Sequence, residues 1–216
     1  MIPARNEAGT VGDVMRAALR HAAVVLVIDG HSTDNTVARA EACGALVVSD
    51  DGRGKGSAIR LGLRLSRTPY VVFMDADGSH EADDIPRLVA PLAAGVADLV
   101  VASRMLGGSD EFHGNLTNYV RMVGAGFITL MINWRFHVAL TDCANGFRPI
   151  RREAALALGL TADDFDIEQE MVIRSLRRGF IVEERSSHEY ERRAGVSKLP
   201  TSRGIKFLWR LFCEIV

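Results

Sequence analysis

The chain has 216 residues, of which 48% are hydrophobic and 25% are charged, values typical of one soluble globular domain. This composition excludes a disordered chain, a collagen-like repeat and a small disulfide scaffold. With 26 Lys and Arg against 27 Asp and Glu, the net charge is −1, which gives no electrostatic basis for a nucleic-acid partner. We find no signal segment, no run of about 20 apolar residues and no paired cysteines, a pattern that predicts a cytoplasmic protein with reduced thiols.

Strands and helices are predicted to alternate along the chain. Short β-branched runs indicate buried strands, and the segments between them carry glycine turns and helix-start residues. The predicted strands span 24–29, 45–48, 70–75, 98–103 and 180–186, and the predicted helices span 34–43, 52–66, 84–94, 115–136 and 168–178. This order predicts an α/β fold with a mostly parallel sheet flanked by helices.

The last predicted element is an amphipathic helix at the carboxyl end of the chain, over 203–216. Its charged residues recur every three or four positions and form one polar stripe, whereas its other residues are mostly apolar. The stripe consists of Arg203, Lys206, Arg210 and Glu214. Such a helix can lie at a lipid interface, or it can pack on the domain or on a partner subunit. We therefore treat 1–200 as one domain and 201–216 as a helical appendage.

Two predicted strands end in acidic residues at the edge where parallel sheets bind ligands. Asp29 ends the first of them, and Asp75 ends the strand predicted over 70–75, with Asp77 two residues later. Two carboxylates separated by one residue can both reach one hard cation such as Mg²⁺ or Mn²⁺, which often binds substrate phosphates as well. The alternative is a solvated turn, because this short pattern is also common by chance.

The glycine-rich segment at 52–57 has two interpretations. It does not fit the phosphate-binding P-loop pattern, because Ser49 and Gly56 stand at positions where that pattern requires other residues. One interpretation is a helix start that places Lys55 near a nucleotide pocket. The other is a purely structural, capped turn.

Eight motifs occur in order at spacings typical of an α/β fold. They are IPARNEAGTV (2–11), VLVIDGHSTDNT (25–36), GRGKGSAIRLGL (52–63), VFMDADGSH (72–80), SRM (103–105), TDCANGFR (141–148), DFDIEQEM (164–171) and RRAGVSKL (192–199). This series resembles the family-2 inverting glycosyltransferases, and in particular the polyprenyl-phosphate (dolichyl-phosphate) mannosyl- and glucosyltransferase branch. The resemblance covers nearly the whole chain and implies a GT-A-like fold.

The resemblance also implies roles for individual residues on the donor side. A segment that cups the nucleotide base and ribose matches Pro3, Ala4, Arg5 and Glu7. Asp29 is expected to contact the base. Asp75 and Asp77 match the metal-binding acids of the family, with Asp77 as the stronger direct ligand. Only Met1 and Ile2 remain of the strand that precedes this segment in relatives, which predicts open sheet edges at its place.

Further roles implied by the resemblance lie in the second half of the chain. Gln169 and Glu170 match a helix that borders the sugar pocket. A loop that closes over the diphosphate matches Arg193, Ser197 and Lys198, although a solvated basic loop is the alternative. Asp142 matches an acid that faces the acceptor, and its alternative role is an ion pair with Arg148.

The resemblance implies a metal-dependent hexosyltransferase that moves mannose or glucose with inversion from a GDP- or UDP-sugar to a polyprenyl phosphate. Its expected location is the cytoplasm, as a peripheral protein on the inner face of the membrane. A homo-oligomer is a separate expectation. Two alternatives are retained. One is the same fold with a hydroxyl acceptor, for which Asp142 would be the general base. The other is a non-catalytic protein that binds sugar nucleotides.

Overall fold

The computed structural model describes residues 1–113, 116–193 and 204–215. Its strands are β1 (Ile2–Ala4), β2 (Leu26–Asp29), β3 (Leu46–Ser49), β4 (Tyr70–Phe73), β5 (Leu99–Ser103), β6 (Arg148–Arg151) and β7 (Val182–Ser186). Its helices are α1 (Val11–Leu19), α2 (Thr36–Ala42), α3 (Lys55–Leu65), α4 (Ile85–Ala93), α5 (Arg104–Gly107), α6 (Leu116–Phe136), α7 (Arg152–Ala157), α8 (Ile167–Arg177) and α9 (Gly204–Ile215).

The strands form a three-stranded sheet in the order β3-β2-β1 and a four-stranded sheet in the order β4-β6-β5-β7, which meet edge to edge at β1 and β4. Strands β1, β2 and β3 pair in parallel, β6 is antiparallel to both β4 and β5, and β7 is parallel to β5. The backbone of Met1 joins β1 to β4, since its nitrogen donates to the Val72 carbonyl at 2.7 Å and its carbonyl accepts from the Met74 nitrogen at 3.1 Å. The predicted α/β fold with a mostly parallel sheet is confirmed.

Two predictions about the strands need correction. The expected gap at the start of the chain is not found, because Ile2–Ala4 forms a short central strand next to β2. The pattern analysis also assigned no element to Arg148–Arg151, which forms β6 in the middle of the sheet. Its sequence, RPIR, does not alternate like a typical strand, and only its neighbours on both sides make it one.

The hydrophobic core lies on both faces of the sheet. Successive side chains of a strand point to opposite faces, so Leu99 and Val101 of β5 pack on one side with α3, α6 and α8. Val100 and Ala102 pack on the other side with α1 and α4. Every residue of β5 is buried, which explains why this central strand appears in the sequence as a continuous apolar run.

Helix α9 packs on the domain, one of the two placements considered from the sequence, and it turns part of its charged stripe inward. Its charged residues Arg210 and Glu214 face α8, where Arg210 contacts Asp166 at 3.0 Å and Arg174 contacts Glu214 at 2.8 Å. Glu214 is only 6% exposed. The apolar side chain of Leu211 also packs inward. The helix is thus bound to the body of the domain by buried ion pairs.

An exposed apolar face results from this orientation of α9. Trp209 and Phe212 of α9 are 66% and 61% exposed, and Leu130 and Trp134 of α6 are 62% and 68% exposed. The two helices pack against each other. Within the described ranges, no helix has both the length and the apolar character needed to cross a bilayer.

Candidate active site

A cavity of about 890 Å³ opens at the carboxyl edge of the sheet. This is the edge at which open α/β sheets bind ligands. The residues that follow β1, β4 and β5 form its floor, and α6, α8 and α9 contribute its walls. Pro3, Ala4, Arg5 and Glu7 all line it, as the resemblance led us to expect.

Asp75 follows β4 and lies beside a buried lysine. The Lys55 ammonium contacts the Asp75 carboxylate at 2.6 Å and the Glu168 carboxylate at 2.7 Å, and it lies 5.5 Å from the centre of the Phe165 ring. Burial alone would lower the pKa of Lys55, but the charges of the two acids outweigh it and raise this pKa. Burial likewise opposes ionisation of Asp75, yet Lys55 brings the pKa of Asp75 down to about 2.

Asp77 is the second acid of the pair and is only 5% exposed. Its Oδ1 accepts hydrogen bonds from the nitrogen and hydroxyl of Ser79 at 3.0 and 2.7 Å. Its Oδ2 contacts the guanidinium of Arg192 at 2.9 Å. Gly78 between them has a φ of +80°, a conformation that side chains rarely adopt, and a Cβ there would lie 3.1 Å from the Arg193 side chain.

The two carboxylates fit a divalent cation whose remaining ligands are phosphate oxygens. Asp75 and Asp77 are both ionisable oxygen donors at the edge of one cavity, and Mg²⁺ is often held by one or two carboxylates together with substrate phosphates. Among the residues that the structure describes, no group of three or more His, Cys, Asp or Glu side chains could hold a metal by itself. The site therefore suits a cation that arrives with, or is completed by, a diphosphate.

Asp29 is placed less directly at the cavity than the other donor-side residues. Its buried carboxylate accepts hydrogen bonds from the Ser32 nitrogen at 3.1 and 3.3 Å and so closes the turn after β2. Its neighbours Ile28 and Gly30 line the cavity. A contact between Asp29 and the base stays a prediction.

Asp142 forms an ion pair, but with a different arginine from the one considered in the sequence. Arg104 contacts the Asp142 carboxylate through Nε at 2.6 Å and through Nη2 at 3.0 Å. Burial would raise the pKa of Asp142, but the charge and hydrogen bonds of Arg104 outweigh it and keep this pKa below its ordinary value. Arg148 instead donates to the carbonyls of Asn145 and Glu168 at 2.9 and 2.7 Å.

Helix α8 turns the neighbouring residues Gln169 and Glu170 in different directions. Gln169 lines the cavity, and its amide nitrogen donates to the Phe207 carbonyl of α9 at 3.3 Å. Glu170 does not line the cavity. Its carboxylate is fully buried, accepts from the Ala162 nitrogen at 2.8 Å and contacts Arg174 at 2.8 Å. The expectation that Glu170 borders the sugar pocket is therefore corrected, since its position on the helix turns it towards α9.

The predicted closing loop is described only in part. Ser197 and Lys198 lie outside the described residues, and their roles stay predictions. Arg193 has an exposed side chain, and its backbone nitrogen donates to the Asp77 carbonyl at 3.2 Å. The preceding Arg192, which the sequence analysis did not single out, is the residue whose guanidinium contacts the Asp77 carboxylate.

Arg104 and Glu168 are two further cavity residues that the sequence analysis missed as individual candidates. Both lie inside motifs quoted for the family resemblance, SRM and DFDIEQEM. Those motifs were a usable signal, but the sequence does not show which of their side chains enter the cavity.

One side of the cavity is apolar. Val123, Phe127 and Ile128 of α6 and Phe207 and Leu208 of α9 line it. Phe127 and Leu208 are also 50% and 47% exposed, so the apolar lining continues into the outer face of the two helices. The same cavity thus joins a charged end at Asp75 to an apolar end that opens at the surface.

Comparisons with known proteins agree with this architecture. Residues 1–159 match the family model described as "Glycosyl transferase family 2". The chain is 38% identical over 181 residues to "Glycosyltransferase AglJ" of Haloferax volcanii. The aligned region covers 83% of this chain and 58% of that protein. It is 31% identical over 196 residues to "Polyprenol monophosphomannose synthase" of Mycolicibacterium smegmatis. This aligned region covers 82% of the chain and 71% of the synthase.

The fold also matches solved structures. Glucosyl-3-phosphoglycerate synthase from Mycobacterium tuberculosis, in complex with Mn²⁺, uridine diphosphate and phosphoglyceric acid, superposes with a TM-score of 0.77 at 22% identity. The match covers 99% of this chain and 76% of that one. The predicted GT-A-like fold is thereby confirmed. On the family match and the sequence similarity together, the chain belongs to glycosyltransferase family 2.

Proposed function

We propose that the protein is a metal-dependent inverting hexosyltransferase that moves mannose or glucose from a GDP- or UDP-hexose to a polyprenyl phosphate. The observation that carries this proposal is the two-ended cavity, in which acids and cations at one end meet an apolar wall at the other. A sugar nucleotide suits the charged end, and an isoprenoid chain suits the apolar end. The similarity to a polyprenol monophosphomannose synthase supports the same assignment.

On the donor side, the reaction needs positive charge where the leaving diphosphate gains negative charge. Asp75 and Asp77 would hold Mg²⁺ or Mn²⁺, which when bound supplies part of that charge as a Lewis acid. Lys55 supplies a fixed ammonium, because its two acidic partners keep it protonated and immobile. Lys198 and Arg192 would add further cations from the segment that follows β7.

On the acceptor side, the geometry favours an anion over a hydroxyl group. A phosphate acceptor is ionised at neutral pH, so its oxygen attacks the anomeric carbon while the bond to the nucleoside diphosphate breaks, and no proton has to be removed. A hydroxyl acceptor would need a general base. Asp142 suits that role poorly, because Arg104 engages both of its oxygens. Arg104 also lines the cavity and can attract an acceptor phosphate.

The test is a transfer assay with GDP-mannose and UDP-glucose, a polyprenyl phosphate and Mn²⁺. We expect product with one donor, loss of product in EDTA and loss in Asp77→Ala. The matched control is Asp83→Ala, an exposed acid that pairs with Arg20 outside the cavity. No transfer with either donor, despite nucleotide binding by thermal shift, would support the non-catalytic alternative. Transfer to a hydroxyl acceptor only would overturn the lipid assignment.

We also propose that the exposed face of α6 and α9 contacts a membrane surface at the inner leaflet, where a polyprenyl phosphate would enter the cavity. Exposed tryptophans such as Trp134 and Trp209 suit the headgroup region. The continuity between this face and the apolar cavity wall supports a lipid rather than a protein as its occupant.

Flotation with anionic vesicles tests the membrane contact. The parent protein should float, and Trp209→Glu should not. Leu46→Glu is the matched control, because Leu46 is 59% exposed on β3, away from this face. If both variants float like the parent, the membrane proposal is wrong. A parent dimer that Trp209→Glu dissociates, without flotation of either protein, would instead identify the face as a subunit interface.

A further inference from the structure

Both acids assigned to the metal are already paired with cations of the protein itself. Lys55 contacts Asp75 at 2.6 Å, and Arg192 contacts Asp77 at 2.9 Å. A divalent cation that binds both carboxylates must compete with these positive groups, because like charges repel strongly in a partly buried site. The contacts of the two cations decide which of them leaves its carboxylate when the metal binds.

Lys55 is held more firmly than Arg192. It has a second short contact, at 2.7 Å to Glu168, and its side chain is 13% exposed. Arg192 is 24% exposed, and its second acidic contact, with Glu7, is at 4.0 Å. When the metal takes Asp75, Lys55 keeps a buried partner in Glu168. Arg192 has no comparably short second ion pair in the described part of the chain, so it is the cation that must leave.

The main chain around Arg192 is fixed to the loop that bears the acids. The Tyr190 nitrogen donates to the Ser79 carbonyl at 2.8 Å, and the Arg193 nitrogen donates to the Asp77 carbonyl at 3.2 Å. The guanidinium can therefore leave Asp77 by side-chain rotation alone, without separation of the two segments. It stays within reach of a ligand that enters the same cavity, which Arg192 lines.

We propose that Arg192 is a counter-ion that occupies Asp77 until a divalent cation and a nucleoside diphosphate bind together. The metal displaces the guanidinium, and the diphosphate offers it a new anionic partner. Metal and donor binding are then coupled through this one side chain, and each raises the affinity of the other by the same factor. The inference rests on the metal site of the proposed function. It adds that Arg192 weakens binding of the metal when no nucleotide is present.

Binding of Mn²⁺, measured by the electron paramagnetic resonance signal of the free ion, tests this without any turnover. In the absence of nucleotide, Arg192→Gln should bind Mn²⁺ about fivefold tighter than the parent or better, the lower end of ordinary coupling between sites. Arg20→Gln removes the same charge at an exposed position outside the cavity, where Arg20 pairs with Asp83. This control should change the affinity for Mn²⁺ alone far less.

The second arm repeats the titration with UDP and with GDP. In the parent, one of these nucleotides should raise the Mn²⁺ affinity, and this increase should be smaller in Arg192→Gln. Equal Mn²⁺ affinities of the two variants without nucleotide would overturn the inference while leaving the metal site intact. A parent that binds no Mn²⁺ even with nucleotide would overturn both the inference and the proposed metal dependence.

Discussion

Replacing Lys55 with methionine should destabilise the fold even though the two side chains are similar in size. The change leaves the carboxylates of Asp75 and Glu168 facing each other without the ammonium that lies between them at 2.6 and 2.7 Å. Removing one partner of a buried ion pair costs about 3–5 kcal/mol. Because Asp75 is 30% exposed, we expect the lower end of this range, about 3 kcal/mol.

The pKa of Asp75 gives a comparable magnitude. Its decrease from 3.8 to about 2 in the folded protein corresponds to about 2 kcal/mol of stability. Because the folded pKa is depressed, this contribution is fully present above about pH 4 and is lost as the pH falls through 2. In Lys55→Met, Asp75 loses the main group that lowers its pKa and keeps only the influence of His80 and Arg192, so the variant's deficit should be largest at neutral pH and shrink as the pH falls through 4 towards 2.

Urea unfolding followed by far-ultraviolet circular dichroism measures the effect, since Trp134 and Trp209 are exposed and report poorly on burial. A loss of about 3 kcal/mol should also lower Tm by about 6–12 °C in a chain of this size. The control is Arg53→Met, whose partner Asp51 is 46% exposed, and which should change the free energy of unfolding far less, because solvent screens an exposed ion pair. Equal stabilities of the two variants at pH 7 would refute the reasoning.

Three further outcomes are expected. Lys198→Ala should lower kcat more than it weakens donor binding, if its contact forms mainly in the transition state; unchanged steady-state kinetics would remove it from the mechanism. Arg104→Gln should raise KM for the polyprenyl phosphate and leave donor affinity unchanged by titration calorimetry, whereas a donor effect alone would place Arg104 at the nucleotide. Glu170→Gln should lower Tm by several degrees, because it weakens a buried ion-pair cluster, with donor affinity retained; loss of donor affinity at unchanged Tm would return Glu170 to the sugar pocket.

Local patterns in the sequence were sufficient for much of the fold. The apolar run of β5 indicates a central strand, because a strand buried on both faces needs apolar residues at consecutive positions. The acids after β4 were predicted at the ligand-binding edge because chain direction fixes where a parallel strand ends. Such features depend on neighbours in the chain, so they can be inferred without knowledge of the tertiary structure.

The short strands were harder to infer. β6 has only the sequence RPIR, and the segment is a strand because β4 and β5 provide hydrogen-bond partners on both sides. β1 is similarly brief, and its backbone contacts with β2 and β4 define it. Pairing across the sheet decides these elements, and no local periodicity reports it.

At the site, the sequence by itself determined which motifs approach the ligand-binding edge, and the tertiary structure decided which of their side chains enter the cavity. Glu168 and Glu170 are two positions apart on α8, about 200° around the helix axis, so only one of them can face the cavity, and packing selects Glu168. Arg192 and Arg193 are likewise adjacent in the sequence, and only the structure shows that Arg192 contacts Asp77 while the side chain of Arg193 is exposed. The stripe on α9 was equally visible in the sequence, but its direction depended on buried acids on α8 that accept Arg210. An amphipathic pattern defines two faces of a helix, and only the charges of the neighbouring element decide which of them turns inward.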